Sequence, residues 1–125
     1  MVKKLPKNPK DIVGSKKPDL TLVPASAIIA LAVALKNGAE KYGAYNWRAR
    51  PVETRTYLAA TLRHTMAYLD GEELAEDSGI PHLWHAMASL AVIIDAIETD
   101  HSIDNRPTKG AAAGLIKEWT DYDNV

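Results

Sequence analysis

Apolar and polar residues alternate along the chain in three long stretches with helical spacing, separated by short polar breaks. The first opens at Pro24-Ala-Ser-Ala and runs to about Tyr42; it is rich in Ala, Leu, Ile and Val, a composition that favours helix, and it is longer than a typical strand. Gly43 and Asn46 mark a turn. In the second, Pro51 suits a first helical position and Glu53 its first turn. Leu58, Leu62 and Leu69 then share one helical face, while Tyr57, Thr61, His64 and Tyr68 form a second stripe. Asp70-Gly71 ends this helix. After an acidic connection over 72–79, Pro81 opens a third helix to about Asp100, with Leu83, Met87, Leu90, Ile94 and Ile97 as its expected buried stripe. A loop over 104–110 leads to a short helix from about Ala111 to Trp119. No segment shows sustained alternation with period two. The expected fold is all-α, a bundle of three main helices plus a short C-terminal helix.

Composition narrows the classes. The 125 residues make one domain. Cysteine is absent, which excludes disulfides, a thiol nucleophile and Cys-based metal sites. The longest apolar run, Ala27 to Leu35, is too short to span a bilayer, which takes about 20 residues. Ala32-Val33-Ala34 has the look of a signal-peptidase site, but Pro18, Asp19 and Pro24 separate it from the leading lysines, so a cytoplasmic, non-membrane protein is expected.

The formal net charge of −1 argues against nucleic acid as the main ligand. It hides strong segregation. Residues 1–20 carry six lysines among three prolines, a pattern of a mobile basic arm. Arg48, Arg50, Arg55 and Arg63 cluster in the middle. From His64 to Asn105 there is no Lys or Arg, yet nine carboxylates and all four histidines lie there. Crowded carboxylates need solvent or a cation. An acidic, His-bearing segment beside an arginine-rich one suits a metal ion together with a phosphate ester.

Spacing singles out particular side chains. His82 and His85 lie one helical turn apart and could share a metal or a phosphate, with Asp77 or Glu76 nearby; two ordinary helix-start histidines fit the spacing as well. His64 shares its stripe with Tyr57 and Tyr68, where a half-buried histidine is also unremarkable. Lys41, Asn46 and Trp47 could supply a phosphate contact, a base-edge amide and a stacking ring, although each is common in turns and Trp47 equally suits a core or an interface. Walker and GxGxxG loops, a His-Asp dipeptide and HExxH are all missing. Glu98-Thr-Asp-His101 is a single ExxH, whereas a ferritin-like di-iron site needs two.

Three blocks in order carry a resemblance: Gly38-Ala-Glu-Lys-Tyr42 with Asn46-Trp47; Arg63-His64 with Gly71-Glu72; and Ser78-Gly79-Ile-Pro-His82-Leu-Trp-His85-Ala86. Together they resemble the phage-type dATP/dGTP diphosphohydrolase family (MazZ-like proteins), among the all-α nucleoside triphosphate pyrophosphatases related to MazG and HisE. The likeness covers roughly residues 17–97. It implies a bundle completed by homo-oligomerisation (dimer or higher), Mg²⁺ or Mn²⁺, and hydrolysis of a purine dNTP, dGTP with dATP as a further candidate, to dNMP and pyrophosphate in a phage-infected or prophage-bearing bacterial cell. By position it implies Glu72, His64 and Arg63 as catalytic residues, Glu72 taking the proton from the attacking water. Lys41, Asn46, Trp47 and Arg48 would bind substrate, and Glu72, Asp77, His82 and His85 would be metal ligands. The family pattern has a further Asp where this chain carries Ala75, which thins the carboxylate set. A non-catalytic nucleotide- or metal-binding helical module is the alternative.

Overall fold

The computed structural model describes residues 4–121 and 123. Among them the chain is mostly helical: α1 (Pro9–Gly14), a 3₁₀ turn (Leu20–Leu22), α2 (Ala25–Tyr42), α3 (Asn46–Ala49), α4 (Thr54–Leu69), α5 (His82–Glu98) and α6 (Ala112–Glu118). This is the all-α architecture that the spacing predicts. Two-residue strands β1 (Val52–Glu53) and β2 (Ser102–Ile103) are the additions. The basic arm is not featureless. Asn8 accepts the Lys10 amide and Pro9 starts α1, and Asp19 caps the 3₁₀ turn through the Thr21 amide. All of these residues are exposed.

Helix α5 is the central element; α4 packs along it, and α2 packs against it from another side. The buried apolar residues are mostly small: Ala30 and Ala34 on α2, Ala86, Val92, Ile93 and Ala96 on α5, and Ala75 in the loop between α4 and α5. Here the structure corrects the buried stripe expected on α5, of which Leu83 and Leu90 are exposed as well as Ile94 and Ile97. Leu62 and Leu69 on α4 are 62% and 76% exposed, and Ile94 and Ile97 on α5 are 59% and 53% exposed. On α4, Leu58 is half-buried together with Tyr57, Thr61 and His64 of the second stripe, whose Tyr68 is exposed. Helical periodicity identifies a face but not its direction. In this chain mostly small residues, with Val92 and Ile93, line the interior, and many large aliphatic ones are left outside.

Pro51 does not begin α4. It leads into β1, which pairs in parallel with β2, Val52 opposite Ser102 and Glu53 opposite Ile103. Around this pair the buried Thr54 hydroxyl donates to the Ile103 carbonyl, and the Asn105 side chain accepts the Arg55 amide. The start of α4 is thereby pinned to the end of α5. Two residues are too few for an alternating pattern to register.

Candidate functional site

The segment between α4 and α5 folds back on itself. Gly71 (φ +105°) and Gly79 (φ +72°) take conformations that side-chain-bearing residues rarely adopt. The Ala75 amide donates to the Ile80 carbonyl at 2.9 Å, Gly79 to Ala75 at 2.8 Å, and His82 to Glu73 at 2.9 Å. This tight loop delivers Glu72, Asp77 and Ser78 to the first turn of α5 and to the facing side of α4.

Three histidines meet there. His64 and His85 stack with ring centres 4.8 Å apart, and His64 Nδ1 lies 2.8 Å from Nδ1 of the buried His82. His82 Nε2 lies 2.7 Å from Glu72 Oε1. With both rings neutral, the Glu72 carboxylate accepts from His82 Nε2–H. His82 Nδ1 then accepts from His64 Nδ1–H, which leaves His64 Nε2 with an unprotonated lone pair. Ser78 Oγ hydrogen-bonds His85 Nε2 at 2.7 Å while accepting the Ile80 amide. Burial lowers the His64 pKa below 6.5, and His85 and His82 beside it push the same way. Burial lowers His85 as well, against the pull of Asp77.

A cavity of about 870 Å³ opens beside this cluster, lined from α2, α3, α4 and α5. Lys41, Asn46, Trp47, Arg63, His64, Asp77 and His85, each expected from sequence to serve the site, all line it. Lys41 Nζ stands 3.8 Å from Asp77 Oδ2. Glu72 and His82 are not among the lining residues; they stand behind His64. Arg48 is not among them either. Its guanidinium forks onto Asp95, Nε to Oδ2 and Nη2 to Oδ1, both at 2.9 Å, and lies over the Tyr45 ring.

Of the four side chains expected to hold a metal, Glu72 and His82 meet directly, while His85 and Asp77 have other hydrogen-bond and ion-pair partners. Among the described residues no three His, Asp or Glu side chains converge as a metal-binding group. Glu72 is bonded to His82, His85 to Ser78, and Asp77 faces Lys41. The arrangement does not fit a preformed ion cage, because both His82 nitrogens are already engaged.

Asp95 is the residue that sequence reasoning missed. It lines the cavity, accepts the Trp47 indole N–H at 2.7 Å as well as the Arg48 fork, and has its pKa lowered to about 2 chiefly by Arg48 and then by Trp47. The available signal was a lone carboxylate inside the apolar stretch 86–97.

No helix among the described residues is long and apolar enough to cross a membrane. No curated protein and no solved structure matches the chain. Residues 7–106 match the family described as "dATP/dGTP diphosphohydrolase, N-terminal". That match takes in every lining residue of the cavity, and the chain belongs to this family of nucleotide hydrolases.

Proposed function

We propose that the protein hydrolyses a purine deoxynucleoside triphosphate, dGTP with dATP as a second substrate, to the monophosphate and pyrophosphate. One observation carries the reading: cations, an indole ring, a side-chain amide and two histidines line a single cavity large enough for a nucleotide. The purine lies against Trp47, with Asn46 at its edge, and the triphosphate runs toward Lys41 and Arg63, which offset its charge. Water attacks the α-phosphorus, the bond to the bridging oxygen breaks, and pyrophosphate leaves. His64 takes the water proton, because it lines the cavity and Glu72 does not. Glu72 acts two hydrogen bonds away by fixing the tautomers of His82 and His64. Mg²⁺ or Mn²⁺ would supply charge neutralisation at the phosphates, with Asp77 at the cavity wall as the carboxylate that would hold it.

The exposed aliphatic faces of α4 and α5 support a homo-oligomer, at least a dimer. A dNTP panel assayed for both pyrophosphate and free phosphate tests the reaction. Pyrophosphate with dGMP is the expected result. Free phosphate with dGDP would refute attack at the α-phosphorus, and binding without turnover would favour a non-catalytic nucleotide-binding module.

A further inference from the structure

We infer that Asp95 is a positioning residue for base recognition: its carboxylate clasps the Trp47 indole and so sets the plane on which the purine stacks. The inference rests on the stacking role proposed for Trp47. Helix α3 is a single turn of four residues, reached through Tyr45 in a left-handed conformation (φ +55°). So short a helix cannot hold its own orientation. Its tie to α5 is the Asp95 carboxylate. Oδ2 accepts the indole N–H at 2.7 Å and the Arg48 Nε–H at 2.9 Å, and Oδ1 accepts from Arg48 Nη2. Arg48 lies over the Tyr45 ring, 4.7 Å from its centre, and the Tyr45 ring is 5.3 Å from Trp47. Ring, guanidinium and carboxylate thus form one tier whose anchor belongs to the rigid helix α5.

The clasp has a second effect. Asp95 lines the cavity, where a bare carboxylate would repel a triphosphate. Arg48 neutralises it, so Arg48 serves the substrate through Asp95 and not by touching phosphate.

The test measures Kd for the α,β-methylene analogue of dGTP, which cannot release pyrophosphate, so binding is read without turnover. Trp47→Ala should weaken binding roughly 5- to 150-fold, the usual effect of removing a base-stacking ring. Asp95→Ala should weaken it roughly 3- to 10-fold, as for one lost hydrogen bond. Asp95→Asn should recover most of that loss, because its amide oxygen still accepts the indole N–H. In the Trp47→Ala background, Asp95→Ala should add nothing. If Asp95→Ala fails to fold, Trp47→Phe, which keeps a stacking ring but has no N–H to give Asp95, should weaken binding by the same roughly 3- to 10-fold, and an unchanged Kd there overturns the inference. Unchanged Kd in Asp95→Ala, with weakened binding in Trp47→Ala, overturns the inference and leaves the stacking reading standing. Additive losses in the double variant overturn it too. Unchanged Kd in Trp47→Ala overturns the stacking reading and the inference with it.

Discussion

Trp47 is held by its ring nitrogen more than by burial, since the indole is only half-buried yet bonded to Asp95. That favours a presented ring over a core residue. Trp47→Ala should therefore raise KM for dGTP with a smaller effect on kcat, the signature of an interaction shared by ground and transition states. A large fall in Tm of the ligand-free protein with KM unchanged would instead mark a packing residue. The histidines lead to a pH prediction. His64 and His85 have folded pKa values below 6.5, so the unfolded chain binds those protons first. Their neutral forms favour the native state fully above pH 6.5, and that stability is lost as pH falls from 6.5 through the lowered values. Denaturant midpoints should drop over this window, and His85→Gln should flatten the slope. A midpoint independent of pH between 7 and 5 would contradict the burial of these rings.

The loop between α4 and α5 owes its shape to two glycines and three backbone hydrogen bonds. At Gly71, φ is +105°, and nothing lies near an added Cβ, so any penalty there is conformational and not steric crowding. Gly71→Ala should destabilise by about 1–3 kcal/mol; a neutral result in urea titration would show that the loop has another conformation at hand. This element also shows what could be read from sequence. Helix ends at Tyr42, Leu69 and near Pro81 were legible because glycine and proline punctuate them. The lining of the cavity was legible as a set of residues, since Lys41, Asn46, Trp47, Arg63, His64, Asp77 and His85 share it. Their pairings were not. Whether Glu72 meets a metal or His82, and whether Arg48 meets phosphate or Asp95, depends on how α4, α5 and α3 abut. The inward side of α4 was not legible for a related reason. Leucine spacing marks a stripe, while it is His64, on the other stripe, that meets His82 and His85 of α5.

At the scale of the molecule, an alanine-lined interior sits beneath an aliphatic exterior. Such a surface is expected to be covered by another copy, and light scattering at micromolar concentration should give a mass of at least twice 13.7 kDa. A monomer mass would refute this. Because no set of donors is preassembled among the described residues, Mg²⁺ alone should leave Tm unchanged, whereas Mg²⁺ with the dGTP analogue should raise it, the stabilisation following ligand mass action. A rise with Mg²⁺ alone would reveal a resident ion site. The parallel strand pair has one more consequence. It welds the start of α4 to the end of α5, while α2 meets α5 without any such fastening. Amide deuteration should therefore proceed in two waves, α2 first and the α4–α5 pair last. The wall carrying Lys41 could then breathe on a faster clock than the wall carrying the histidines.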